Sequence, residues 1–424
     1  MNRSQHLAIS FPIWLLHDTP GHGAYHDLEQ TIASIAERGF NCVRCDDGAG
    51  LIDFTATPPR GTVTLQEPFT GLTRDIRQSW CVGDGGDCDL LERLDLLFQA
   101  ARRHHVLVIL SSWYYLHTCW YCGDERLNAR LHLIPNHEKF RYFAEQLDHL
   151  LTFLRQRGHL QSLAFAEILN EADGLYFVGG YGNAALPEHE ALRRSHEDAI
   201  AFLRQRHPDV LFAYDSYTPA TKPSLFPRNC QVWNLHSYYL WPIYALLQGR
   251  LLAAGTDVTA PSELACAQPY LKDTLIPLDA VRATRNGRIP AAEDWYRRVW
   301  LYAQIDPRKI PQLEQAFIRK FLADRDQYLQ RLRDALRTAR QTQAQLCPQC
   351  PLVLGESCSF PGSNLLQWEE HCDDYWQLLQ DAAHEIRQAG FWGAAIRTCS
   401  APDDPAWNLR KDDFIRINRI LTEA

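Results

Sequence analysis

Two apolar segments of the chain each end in a glutamate: Phe165-Ala-Glu-Ile-Leu-Asn-Glu171 and Leu352-Val-Leu-Gly-Glu356. A buried strand has no structural use for a terminal carboxylate. Either glutamate alone is better read as the cap of a following helix or as exposed in a loop. Together, at the mouth of one barrel, they are the pair that glycoside hydrolysis needs: a protonated carboxyl at the leaving oxygen and an ionised carboxylate at the anomeric carbon. Glu167, four residues before Glu171 on the same strand face and deeper, reads as a buried network partner. Asp46 and Asp47 fit hydroxyl contacts or turn caps equally well.

Aromatic residues cluster at Trp113-Tyr-Tyr115 with Trp120 and Tyr121, and at Tyr238, Tyr239, Trp241 and Tyr244. Aromatic faces stack on the apolar faces of sugars, which makes Trp113 and Trp241 the candidates for substrate contact. Most of the 12 tryptophans are expected to be ordinary packing.

Three cysteine pairs among the 13 cysteines have chelating spacing: Cys42/Cys45, Cys119/Cys122 and Cys347/Cys350. Cys42 and Cys45 fall in an apparent strand, where side chains three apart point to opposite faces, so they read as core filler. The other two pairs bracket opposite ends of the expected fold and should not share a metal. Cys81, Cys88, Cys119 and Cys122 could meet among neighbouring loops. Reduced, unpaired thiols are the general expectation. The 17 histidines form no H-E-x-x-H run.

These residues need a scaffold, and the pattern of the chain supplies one. At 424 residues, 46% hydrophobic and 22% charged, it has a globular composition. Predicted strands over Leu7–Trp14, Phe40–Cys45, His105–Ser111, Leu163–Leu169, Val210–Tyr214, Gln231–His236, Leu352–Gly355 and Trp392–Thr398 alternate with helical patterns. Predicted helices include Asp27–Arg38, Asp89–Arg103, His137–Arg157, Glu369–Gln388 and Asp412–Leu421, with Gly39 and Gly158 as stops. Eight strands with intervening helices fit an α/β fold of the (β/α)8 TIM barrel type, built as a single catalytic domain over residues 1–424. Long connections at residues 47–88, 172–187 and 239–311 all follow strands, which puts them on the C-terminal face. The segment 239–311 is expected to wall the active site. Neither G-x-G-x-x-G nor G-x-x-x-x-G-K is present, which removes the usual nucleotide signatures. A balance of 43 basic against 51 acidic residues, without a basic cluster, argues against nucleic acid.

With those strands in place, the chain resembles the clan A glycoside hydrolases, the cellulase-like retaining enzymes related to glycoside hydrolase family 5. The resemblance spans nearly the whole chain. Asn170-Glu171 matches the clan's Asn-Glu pair, implying that Glu171 is the acid/base and that Asn170 contacts the sugar 2-hydroxyl. Glu356 matches the nucleophile, Arg44 the arginine beside it, and His236-Ser-Tyr238 the His-x-Tyr whose tyrosine bonds the nucleophile. Arg44 and the Tyr238 hydroxyl would then favour the charged form of Glu356, while Glu171, facing that charge, should hold its proton to higher pH. The chain departs from the clan at Ser111-Ser-Trp113, where relatives carry a histidine, at the eighth strand, where no tryptophan has a clear match, and at Ala172, which stands for a proline.

The resulting expectation is a retaining β-glycosidase acting on a small carbohydrate substrate, with no cofactor and no metal. The alternative is a non-catalytic carbohydrate-binding or regulatory protein on the same barrel. The run Leu7–Leu16 reads as a strand rather than a secretion signal, so the cytoplasm is the expected location. No apolar stretch reaches the ~20 residues needed to span a bilayer. A walled pocket further suggests release of terminal sugars from short β-linked chains.

Overall fold

The computed structural model describes residues 5–18, 23–65, 86–114, 133–173, 186–240, 268–277, 302–359, 365–398 and 400–423. Ten strands occur among them: β1 Leu7–Ser10, β2 Cys42–Asp46, β3 Thr62–Leu65, β4 Gly86–Asp89, β5 Leu107–Ser111, β6 Leu163–Glu167, β7 Phe212–Ser216, β8 Val232–Ser237, β9 Leu352–Ser357 and β10 Gly393–Ala394. Eight of these close a parallel barrel in the order β1-β10-β9-β8-β7-β6-β5-β2, while β3 and β4 pair separately as an antiparallel hairpin. The expected (β/α)8 barrel is therefore the observed fold.

Local chemistry explains where the elements start and stop. Helix α1 (Leu28–Glu37) begins where the Asp27 side chain accepts from the Gln30 amide, and the chain leaves it through Gly39 at φ +80°. Helix α2 (Leu90–Arg103) starts in the same way, with Asp89 accepting from the amides of Leu91 and Glu92. Helices α3 (Asn136–Gln156) and α4 (Leu186–Arg206) follow β5 and β6. The barrel strands are buried from end to end, apart from the partly covered Leu107. Strands covered on both sides read as nearly continuous apolar runs.

Several boundaries differ from those expected. The first strand stops at Ser10, before Pro12. The eighth shrinks from Trp392–Thr398 to the two residues of β10, which lie opposite Leu7 and Ala8 on one side and Val353 and Leu354 on the other. A Cβ at Gly393 would come within 2.6 Å of the Leu7 Cβ, so β1 and β10 approach as closely as they do because residue 393 has no side chain. The helix expected over 369–388 is broken at Cys372, which is extended (φ −106°, ψ 102°), into Trp368–His371 and α6 (Asp373–Gln388). Between β8 and β9 runs α5 (Ile310–Leu346), 37 residues long, whose apolar face of Leu313, Phe317, Phe321 and Leu332 is buried. It packs along α6, with Arg325 reaching Asp381 at 2.5 Å and Arg333 reaching Glu385 at 2.7 Å. Helix α7 (Lys411–Thr422) closes the ring against β1.

The cysteine expectation is corrected at one place. Cys347 and Cys350 are joined as a disulfide, because the turn that carries them from α5 into β9 brings their Cα atoms to 5.5 Å. Cys42, Cys45, Cys88, Cys230, Cys358 and Cys372 are free and buried, while Cys81, Cys119 and Cys122 lie outside the described residues. Among the described residues no helix is long and apolar enough to cross a membrane.

Candidate active site

The C-terminal ends of β2, β6, β7, β8 and β9 bring Arg44, Glu167, Asn170, Glu171, Asp215, His236, Tyr238 and Glu356 together. Arg44 is the centre. It is fully buried, and its NH1 donates to Glu356 Oε1 at 2.9 Å. Its NH2 reaches Glu167 Oε2 at 2.8 Å, Asn170 Oδ1 at 2.7 Å and Asp215 Oδ2 at 2.6 Å. Burial alone would lower the Arg44 pKa, but the carboxylates of Glu167, Asp215 and Glu356 override it and hold the guanidinium charged. Removing Arg44 would strand three buried carboxylates, a loss on the order of 3–5 kcal/mol.

Two backbone features aim the glutamates. Glu171 takes φ +48°, a left-handed conformation uncommon for a residue with a side chain, directly after Asn170. Its amide donates to Asp215 Oδ1 at 2.9 Å, which fixes that turn. On the other side, the register between β8 and β9 shifts after Leu235, so that His236 stands opposite Glu356. Tyr238 donates its hydroxyl to Glu356 Oε2.

His236 bridges the two sides. Its Nδ1 lies 2.8 Å from Glu171 Oε1, and its Nε2 lies 3.2 Å from Asp215 Oδ2 and 3.5 Å from Glu356 Oε1. Burial would favour the neutral ring, yet Asp215 and Glu356 outweigh it and push the His236 pKa well above its ordinary value. Burial raises Glu171 to about 7, with Glu356 and Asp215 adding to the rise and His236 opposing it. Glu167, buried beside Asp215, is likewise raised to about 7, while Arg44 pulls it down. Asp215 goes the other way: burial would raise it, but His236 and Arg44 hold it below its ordinary value. The Glu171 side chain is 11% exposed where Arg44, Glu167, Asp215 and His236 are at 0%, so the proton-bearing carboxyl is the one that faces outward.

Arg44, Asn170, Glu171, His236, Tyr238 and Glu356 converge. Trp113 is buried, with its ring centroid 4.5 Å from the Arg44 guanidinium carbon and 5.7 Å from the Phe11 ring, so it packs against Arg44 and Phe11. Trp241 lies outside the described residues, as do residues 241–267 and 278–301 of the expected wall. Asp46 and Asp47 cap turns: Asp46 Oδ1 accepts from Gly48 and lies 2.8 Å from His17 Nε2, its Oδ2 accepts from the Trp113 amide, and Asp47 accepts from Ala49. Arg397, near the expected eighth-strand end, is buried in a cluster with Glu369, Glu370 and Asp404.

Asp215 and Asn234 were not anticipated. Asp215 closes the segment Phe212-Ala-Tyr-Asp-Ser216, and a strand ending in a carboxylate is the same signal that Glu171 and Glu356 carry. Asn234 sits two residues before His236 on the same inward face and donates to Glu167 Oε1 at 2.6 Å and Asp215 Oδ2 at 2.9 Å. Gly355 makes its room, since a Cβ there would fall 2.3 Å from the Asn234 amide atoms.

Oxygens of Glu171 and Glu356 and a ring nitrogen of His236 all lie within 4.8 Å of one another, a spacing that a cation could also bridge. With His236 near carboxylates through both nitrogens, the arrangement works as a hydrogen-bonded carboxyl pair around an imidazolium.

A family described as sugar-binding cellulase-like matches residues 10–244, more than half of the chain. The chain belongs to the cellulase-like family. The matched part of this cellulase-like chain carries Arg44, Asn170, Glu171, His236 and Tyr238, while Glu356 lies beyond it. Among solved structures, a candidate glycoside hydrolase from Parabacteroides distasonis ATCC 8503 shares the fold with a TM-score of 0.67 at 18% identity, over 99% of this chain and 94% of that one. A glycoside hydrolase family 5 mannosidase from Rhizomucor miehei gives 0.42 at 11% identity over 98% and 94%. A GH5-4 broad specificity endoglucanase from Clostridium acetobutylicum gives 0.43 at 12% identity over 92% and 89%. None of the curated proteins matches in sequence.

Proposed function

We propose that this cellulase-like chain hydrolyses β-linked glycosides with net retention, with Glu171 as acid/base and Glu356 as nucleophile. The observation that carries the reading is the separation of the two carboxyl groups: oxygens of Glu171 and Glu356 come within 4.8 Å. Retaining enzymes hold the pair at ~5 Å, which leaves no room for a water between carboxylate and anomeric carbon, whereas inverting enzymes need a gap of several ångströms more.

In the first step Glu171 gives its proton to the glycosidic oxygen as Glu356 attacks the anomeric carbon. The aglycone leaves and a glycosyl ester forms on Glu356. Glu171, now ionised, takes a proton from water, which attacks the same carbon and releases the sugar and Glu356. Arg44 and Tyr238 keep the Glu356 oxygens oriented through both steps, and Asn170, held by Arg44 through Oδ1, is placed for the sugar 2-hydroxyl. The substrate is a small β-linked carbohydrate. No cofactor takes part. A site that only bound sugar would gain nothing from two carboxyl groups this close in an enclosed pocket, where their mutual repulsion is costly.

The test is hydrolysis of a panel of aryl β-glycosides, with proton NMR of the accepted substrate in the first minutes. The β-anomer should appear first and the α-anomer only by mutarotation. The α-anomer appearing first would mean inversion, and a chain inert on every member and on β-linked disaccharides would favour the binding role.

A further inference from the structure

On the barrel face opposite the carboxyl pair, three cysteine sulfurs converge. Cys230 lies two residues before β8, and Cys350 lies two residues before β9, with Cys347 in the same turn. Adjacent backbone ties the two loops together, as the Trp233 amide donates to the Pro351 carbonyl at 3.0 Å. Cys230 Sγ is 3.7 Å from Cys350 Sγ, and the sulfurs of Cys350 and Cys347 lie 3.1 and 3.8 Å from the Cys230 carbonyl oxygen. All three side chains are buried, at 3% exposure or less.

We propose that Cys230, Cys347 and Cys350 form, in the reduced protein, a structural site for a zinc-class metal ion. Four observations support it. The Cys347-Pro-Gln-Cys350 spacing is that of a chelating turn. Sulfurs around a tetrahedral ion with ~2.3 Å bonds stand ~3.8 Å apart, and the Cys230–Cys350 distance already has that value without rearrangement. The disulfide joins residues only three apart, so it constrains the unfolded chain less than a bond from Cys350 to Cys230, 120 residues away, would do. Lastly, Gln343 on the last turn of α5 donates to the Cys350 carbonyl and accepts from Arg340, an outer layer that holds the turn in place.

The balance is explicit. A phosphine reductant supplies two electrons to the Cys347–Cys350 bond and is oxidised to the phosphine oxide, with water giving it the oxygen and the sulfurs two protons, which leaves three thiols. The ion then forms three metal–sulfur bonds, releases three protons to solvent and keeps a water as fourth ligand. Each thiol gives up its proton as the cation binds. The N-terminal face of such barrels serves stability, so the ion would tie the loops entering β8 and β9 rather than take part in turnover.

The full-length protein is reduced with a phosphine, stripped with a chelator and titrated anaerobically with cobalt(II), then with zinc(II). A thiolate-to-cobalt charge-transfer band saturating at about one ion per chain, bleached by zinc, is expected. Cys230→Ser should weaken cobalt binding at least ~10-fold, and Cys372→Ser should leave it unchanged. Zinc should also raise the melting temperature of the reduced wild type and not that of Cys230→Ser. A reduced wild type without a charge-transfer band, or a band that survives in Cys230→Ser/Cys350→Ser, would overturn the site. The band reports sulfur ligands only, so neither result depends on the roles of Glu171 and Glu356.

Discussion

His236 stands between the two carboxyl groups of the site, with Nδ1 2.8 Å from Glu171 Oε1 and Nε2 3.5 Å from Glu356 Oε1. One imidazolium therefore feels both members of the pair. In the proposed mechanism Glu356 would lose its charge on becoming an ester, and with it part of what keeps the proton on Glu171. On that reading the acid of the first step would be readied as the base of the second.

Glu171, raised to about 7, is protonated below that pH and ionised above it, so kcat/KM should hold on the acid side and fall as pH rises through about 7. Glu171→Gln should lower kcat by ~10³-fold on substrates with poor leaving groups and abolish that alkaline limb. A pH–rate profile whose limb persists unchanged in Glu171→Gln would assign it to another group.

His236→Asn keeps a neutral donor near Glu171 and removes the positive charge that favours its ionised form. The Glu171 pKa should rise, moving the alkaline limb upward by on the order of one pH unit. A limb that moves down, or stays where it is, would show that His236 does not carry its charge toward Glu171.

Much of the barrel was legible because strands buried on both sides are nearly continuous apolar runs, and those runs ended at the site residues. Asp27, Asp89 and Gly39 marked helix ends through ordinary capping chemistry. What escaped did so for physical reasons. The α5 pattern is diluted by polar residues, because only a stripe including Leu313, Phe317, Phe321 and Leu332 is covered, and the helix follows a long insertion that hid its start. The apolar run Trp392–Ile396 overstated β10, since burial there does not require strand pairing. Asp215 carried the signal of a strand-ending carboxylate, but nothing in its segment says that it would face Arg44 rather than solvent. The Cys347–Cys350 bond depends on how one turn closes, which residue spacing permits without requiring.

Glu171→Ala tests the acid/base role from a second side. A leaving group that departs without protonation makes the first step independent of Glu171, so a glycosyl-enzyme should accumulate on such substrates. Added azide, small enough to enter the space vacated, should restore turnover and yield a β-glycosyl azide. Liquid chromatography of the products checks it, and the absence of both rate recovery and azide product would contradict the role.

Gly355→Ala should be felt at the site without touching an ionisable group. Its Cβ would meet Asn234 at 2.3 Å, displacing the amide that holds Glu167 and Asp215. A stability loss of ~1–3 kcal/mol is expected, together with lowered kcat. Thermal melting and steady-state kinetics on one preparation check both, and unchanged values in each would show that the Gly355–Asn234 approach has slack.

The most direct measurement is covalent trapping of the nucleophile. A 2-deoxy-2-fluoro β-glycoside with an activated leaving group, of whichever sugar the aryl glycoside panel selects, slows both steps but allows the first, so the ester should persist. Peptide mass mapping should then place one fluorosugar on the β9 peptide, at Glu356, with time-dependent inactivation that Glu356→Gln abolishes. A label on any other residue, or steady turnover with no label at all, would contradict the assignment of Glu356 as the nucleophile.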